Sequence, residues 1–185
     1  MKKSPPPSNP DTVHHIALGG TIDSYLDNLH DEPVPRMRSI IPEVLAQAKC
    51  QVPLRFSQVC MKDSRNLKEA DLVRLISEIK RSPARMLIIT VGTYTMTDVA
   101  RFIETRSGKT TESKVVLLTA SYRPIDGIAP SDGSFNLGFA FGVVPYLKPG
   151  VYVAMHCRVF PASDVRKDLA SGRFVPLSFV GETEK

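Results

Sequence analysis

The chain has 185 residues, 42% of them hydrophobic and 23% charged, values that suit one globular domain with a proper core and exclude a wholly disordered polymer. Its net charge of +5 includes Lys2 and Lys3, and its other basic residues alternate with acids, as in Lys68-Glu69-Ala70-Asp71, so no nucleic-acid or membrane partner is expected. There is no apolar run of the ~18 residues that span a bilayer and no signal-peptide core, while Cys50, Cys60 and Cys157 lack a CxxC spacing and read as reduced thiols of a cytoplasmic protein.

Residues 1–11, with Lys2-Lys3-Ser4-Pro5-Pro6-Pro7-Ser8, read as a disordered tail. Residues 12–180 read as one domain and residues 181–185 as a flexible C-terminus. Strands are expected at 13–18, 54–59, 85–90, 114–119 and 150–155, each nearly continuous in Val, Ile or Leu, as parallel strands covered on both faces are. Helices are expected at 40–48, 68–81, 97–105 and 134–146. In the second, Leu72, Leu75, Ile76 and Ile79 share one face. In the third, Val99, Phe102 and Ile103 do. The fourth follows Ser131-Asp132-Gly133, which has capping chemistry. An extra hairpin or short edge strands are expected after 155. The alternation predicts an α/β fold, a three-layer α/β/α sandwich around a mainly parallel sheet of Rossmann or flavodoxin type. Ligands of such sheets bind at the carboxyl ends of the strands.

Three blocks fall where apolar strands end or turn. They are Leu18-Gly19-Gly20-Thr21-Ile22-Asp23, Val91-Gly92-Thr93-Tyr94-Thr95-Met96, and Lys114-Val115-Val116-Leu117-Leu118-Thr119-Ala120-Ser121-Tyr122-Arg123-Pro124. Glycines let a backbone approach a ligand closely, and threonine is a nucleophile once a base takes its proton. Thr21 is one candidate. Thr93, before a helix, is either a second hydroxyl at an anion-binding helix start or a cap. Lys114 can act on Thr93 only if burial lowers its pKa from the usual ~10.4; otherwise it is a surface lysine. Asp63-Ser64-Arg65-Asn66 reads as a capping cluster with Asn66 as the cap, and Ser64 is placed to touch a small polar ligand. His14, His15, His30 and His156 have no metal or triad spacing, so no zinc site is expected. One of His14 and His15 is expected to be a satisfied interior group. No GxSxG elbow or GxGxxG fingerprint is present.

Together these blocks resemble the bacterial-type L-asparaginase/glutaminase family, with its TGGTI loop, HGTDT block and K(x)VVxTGAMRP strand. The likeness continues through Ser131-Asp132-Gly133-Ser134-Phe135-Asn136-Leu137 and 149–160, over roughly residues 13–168. It is similar to the short single-domain form with the N-terminal domain only. The resemblance implies a threonine-nucleophile amidohydrolase that needs no cofactor. Thr21 would attack a side-chain amide, and Thr93 and Lys114 would assist proton transfer. Ser64 would hold the substrate carboxylate, and Tyr25 would stand beside the nucleophile. Gly20, Gly92 and Tyr94 would line the substrate. The ligand implied is a small amide or amino-acid-like molecule. The apolar stretch from Ser134 to Tyr146, with Phe135, Phe139 and Phe141, is expected to be either deep core or a homodimer interface, and a homodimer is favoured.

Some residues depart from the family pattern. Tyr94 stands where the family has the aspartate that pairs with the substrate ammonium. Val91 replaces a histidine, Ala120 a glycine and Leu18 a threonine. L-Asparagine itself is therefore questioned as substrate. A small-ligand-binding or sensor module on the same fold is the alternative, and an unrelated flavodoxin-like nucleotide binder is a third reading.

Overall fold

The computed structural model describes residues 9–27, 32–127 and 130–179. Most of the expected tail, the expected C-terminus from 181 and His30 lie outside these residues. Six strands form the central sheet. They are β1 (Val13–Gly19), β4 (Leu54–Lys62), β5 (Met86–Thr90), β6 (Val115–Thr119), β7 (Gly150–Met155) and β8 (Arg158–Pro161). Their order is β4-β1-β5-β6-β7-β8, parallel except for β8, which runs antiparallel to β7. The five parallel strands thus follow a 2-1-3-4-5 winding, and the chain reverses direction across the sheet between β1 and β5. That reversal is where a doubly wound sheet opens a crevice.

Strands β1, β5 and β6 are buried along their whole length, as expected, but β4, also expected to be covered on both faces, is an edge strand left largely exposed, because Arg55, Ser57 and Gln58 interrupt its apolar residues. Two clusters make the layers. On one face Leu75, Ile76 and Ile79 of α2 (Glu69–Arg81) and Val99, Ala100 and Ile103 of α3 (Met96–Ser107) pack against Ile16, Leu87 and Leu118. On the other, Ile41 and Leu45 of α1 (Ile41–Gln47) join Leu137, Ala140 and Phe141 of α4 (Gly133–Val143) over Val13, Ile88 and Leu117.

The expected strands and helices form within a few residues of their predicted limits. One local reading is corrected. Asn66 does not cap α2; it ends a 3-10 turn, Ser64–Asn66, that Asp63 caps by accepting the Arg65 N–H. The α2 start is instead held by Asp71, which accepts the Lys68 N–H at 2.9 Å. At the start of α4 the capping comes from Ser131, whose Oγ accepts the Gly133 N–H at 2.9 Å, while Asp132 turns elsewhere. Its carboxylate accepts from Tyr122 N, Arg123 N and Asn136 Nδ2, and so ties the turn after β6 to α4. A small hairpin, β2 (Ser24–Asp27) with β3 (Glu32–Pro35), was not foreseen; its short polar strands carry no apolar run. The structure beyond β8 adds the antiparallel pair β9 (Arg166–Lys167) and β10 (Phe174–Val175). Among the described residues no helix is long and apolar enough to cross a membrane.

Candidate active site

Three loops meet over the crevice between β1 and β5. The first leaves β1 through Gly19 and Gly20, with φ of 89° and 84°. These values are comfortable only for glycine. Close packing makes a second demand: a Cβ on Gly20 would lie 2.3 Å from the Gly92 nitrogen, and one on Gly92 would lie 2.5 Å from Ser64 Oγ. The missing side chains therefore let the loops after β1, β4 and β5 touch. The Gly20 N–H is bonded to the Lys62 carbonyl at 2.9 Å, and Ser24 Oγ donates to the Gly20 carbonyl at 3.0 Å. Beyond Thr21, Ile22 is fully buried, and buried Asp23 accepts from Ser39 Oγ and the Ile40 N–H. Burial raises the Asp23 carboxyl above the usual aspartate range, against the pull of those hydrogen bonds and Arg36. The anchors on either side fix Thr21 at the lip of the crevice.

The resulting cleft has a volume of about 220 Å³ and is lined by Gly20, Thr21, Ser64, Gly92, Thr93 and Tyr94, with Pro33, Asp63, Arg65, Tyr122 and Lys167. Six of the eight residues assigned from the sequence thus share one cavity. Buried Ser64 packs against Gly92, and Thr95 Oγ1 donates to the Ser64 carbonyl at 3.3 Å. Thr93 is 8% exposed and Tyr94 63% exposed.

The other two residues stand elsewhere. Lys114 precedes β6, at the amino end of the sheet. Its ammonium donates to the Ser82 and Ala84 carbonyls at 2.6 and 2.8 Å, closing the end of α2 and the turn into β5. A residue heading one parallel strand and a residue following its neighbour lie at opposite ends of the strands, separated by about five residues at ~3.3 Å each. Lys114 therefore does not reach Thr93. Burial does lower its pKa, but away from the cleft. Tyr25, on β2, is not among the cleft-lining residues; its ring lies under the Arg36 guanidinium at 5.6 Å.

The lysine in the cleft is Lys167. Its Nζ lies 3.1 Å from Thr93 Oγ1. The phenol rings of Tyr94 and Tyr122 flank it at 4.9 and 4.8 Å from their centroids. Burial lowers its pKa below the ordinary lysine value. Tyr122 is itself braced, donating to the Gly172 carbonyl and stacking on His156 at 5.6 Å, and burial with the neighbouring Asp132 pushes its phenol up to about 12. Lys167 gave little sequence signal. It lies on a two-residue strand among mixed charges, with no glycine turn and no periodicity.

Two threonine hydroxyls, a partly desolvated amine and a serine in one small cleft are the means of activating a hydroxyl nucleophile. Among the described residues no group of three or more His, Cys, Asp or Glu side chains could hold a metal ion. The family model for the N-terminal domain of asparaginase matches residues 12–174. The chain belongs to the asparaginase family. Among solved structures, the chain is similar to the probable cytoplasmic L-asparaginase from Campylobacter jejuni, with 24% identity and a TM-score of 0.74 over 90% of this chain and 53% of that one. It is also similar to the thermostable L-asparaginase from Thermococcus kodakarensis, at 21% identity and a TM-score of 0.71 over 91% and 52%. L-Asparaginase I from Vibrio cholerae O1 biovar eltor gives 20% identity and a TM-score of 0.75 over 90% and 51%. At these identities the likeness is one of fold. This asparaginase-family chain spans about half the length of each of them. Among curated proteins none matches the sequence.

Proposed function

We propose that this chain hydrolyses a small side-chain amide and releases ammonia, with Thr21 as nucleophile and the Thr93–Lys167 pair as its proton relay. The observation that carries the reading is the 3.1 Å contact between Lys167 Nζ and Thr93 Oγ1 in the cleft that Thr21 also lines. In its neutral form Lys167 accepts a proton through Thr93 as Thr21 Oγ adds to the amide carbonyl. The C–N bond then breaks, the nitrogen leaves as ammonia with that proton, and an acyl ester remains on Thr21. Water adds to the ester, its proton passes to the relay, and the carboxylic acid product leaves with Thr21 restored. Burial keeps the amine available as a base nearer neutral pH than a solvated lysine would be. Gly20 and Gly92 keep the loops close, and Ser64 offers a hydroxyl to a carboxylate of the substrate.

The sensor reading is favoured by one observation, the exposed Tyr94 ring at the cleft where the family pattern has an aspartate. The two readings separate in one experiment. Ammonia release from a panel of ω-amides that Thr21→Ala abolishes supports the hydrolase; saturable binding without release supports the sensor. The free thiols Cys50, Cys60 and Cys157, and the likeness to the probable cytoplasmic L-asparaginase from Campylobacter jejuni, support a cytoplasmic place. A homodimer remains part of the proposal, supported by exposed Phe135 and Tyr146 at the two ends of the α4 segment. Sedimentation velocity at micromolar concentration tests it.

A further inference from the structure

The carboxylates of Asp63, Asp23 and Asp126 are already engaged. Asp63 is the acidic residue among those lining the cleft. Its Oδ1 accepts from Arg65 N at 2.8 Å and Nε at 3.0 Å, and its Oδ2 accepts from the guanidinium at 2.9 Å. Asp23, behind Thr21, is fully buried and accepts from Ser39 and Ile40. Asp126 is paired with Arg36. Beside the Tyr94 ring, at 4.9 and 5.7 Å from its centroid, lie the relay amine of Lys167 and the Arg65 guanidinium that Asp63 holds. With Asp63 already paired, the described lining offers no free carboxylate.

That charge pattern selects a ligand. A free α-ammonium would find no unpaired carboxylate among the residues that line the cleft. Leaving one partner of a desolvated charge pair without the other is strongly unfavourable. A ligand carboxylate would meet the Ser64 hydroxyl and the guanidinium N–H groups of Arg65 that Asp63 does not take up. The Tyr94 ring supplies an apolar wall against methylene groups.

We propose that the substrates are ω-amides of short carboxylic acids that carry no α-ammonium, succinamate being the simplest probe. The carboxylate is held by Ser64 and Arg65, and Tyr94 sets the preference. This rests on the hydrolase reading above. The reaction is that amide plus water, giving the dicarboxylic acid and ammonia through the ester on Thr21.

The test measures ammonia release by the purified full chain from succinamate and from L-asparagine, in the natural protein, Tyr94→Asp, Tyr94→Asn and Thr21→Ala. The expected kcat/KM favours succinamate at least tenfold. Tyr94→Asp should invert the preference, and neutral Tyr94→Asn should not. Succinate should protect Thr21→Ala against thermal unfolding more than L-aspartate does, a readout that needs no turnover. Preference for L-asparagine by the natural protein, with release still abolished by Thr21→Ala, overturns the substrate class and leaves the hydrolase reading standing. Release that survives Thr21→Ala, or no release from either amide, overturns the hydrolase reading and this proposal with it.

Discussion

Lys167 Nζ and Thr93 Oγ1 lie 3.1 Å apart, although 74 positions separate them in the chain. The contact joins the loop after β5 to a short strand that lies outside the main sheet. It replaces the pairing of Thr93 with Lys114 that the third sequence block suggested.

The two lysines should therefore behave oppositely on substitution. Lys167→Met removes the amine facing Thr93, and turnover should fall by about 10²–10⁴, the usual range for a general base. Its folding should be close to that of the natural protein. Lys114→Met leaves the Ser82 and Ala84 carbonyls without their donor, and stability should fall by about 1–3 kcal/mol. Turnover of the folded fraction should stay within about threefold. Steady-state ammonia release and urea midpoints on both variants check this, and a Lys114→Met enzyme as dead as Lys167→Met would refute the assignment.

The pH profile should report Lys167. Its pKa is lowered by burial, so the neutral base becomes available below the ordinary lysine value of 10.5. Activity should rise with pH on a limb whose midpoint lies below 10.5, since only the deprotonated amine can take the proton. In Lys167→Met the residual activity should lack that limb. Thr21→Ser should retain a fraction of the activity with the same midpoint, because the relay is untouched.

The glycines that bring the loops together should fail in different ways. Gly20→Ala puts a Cβ against the Gly92 backbone at a φ of 84°, and neither can yield cheaply. Loss of several kcal/mol, or of folding, is expected. Gly92→Ala meets the Ser64 side chain, at 2.5 Å from Oγ and 2.7 Å from Cβ. A loss of about 1–3 kcal/mol is expected, as for other overpacked sites. Adding Ser64→Gly should restore stability without restoring turnover. Thermal melting and ammonia release on the three proteins distinguish packing from chemistry.

The legible parts of the molecule follow from these same contacts. The apolar runs of β5 and β6 are doubly covered strands, the mixed sequence of β4 is an exposed edge strand, and the glycine blocks after β1 and β5 mark the crevice. That information is local, carried by neighbouring residues. Lys114 stands away from the cleft because its block spans the full length of β6: the lysine lies at the amino end of the strand and the turn with Tyr122 at the carboxyl end. Lys167 reaches the cleft through tertiary packing of a two-residue strand, and no local pattern encodes that. The β2–β3 hairpin stayed hidden because its strands hold two prolines and few apolar residues.

Strand β1 carries a built-in pH dependence of stability. His14 Nδ1 and Nε2 lie 2.8 and 2.9 Å from Ser82 and Ser57 hydroxyls, while His15 Nε2 meets Thr90 Oγ1 at 3.1 Å and its Nδ1 is buried without a partner. Both rings are buried. Desolvation lowers His14 to about 4, helped by Arg55 and Lys114 and opposed by Glu78, and lowers His15 to about 3. Each imidazole therefore binds a proton less readily folded than unfolded. Below pH 6.5 the unfolded chain takes up protons that the folded chain does not, so stability present above pH 6.5 is lost as pH falls toward 4 and 3. Each pH unit in that window is worth about 1.4 kcal/mol per histidine. Asp23 acts in the opposite sense, since its raised carboxyl binds its proton more readily when folded, but one carboxyl opposes two imidazoles. Urea midpoints should thus fall steeply between pH 7 and pH 5. His15→Met, which removes the ring with the unpartnered nitrogen, should flatten that slope and change stability at pH 7.5 by no more than about 1–2 kcal/mol. An unchanged slope in His15→Met, or stability that rises on acidification, would show that these imidazoles are not held neutral by the core.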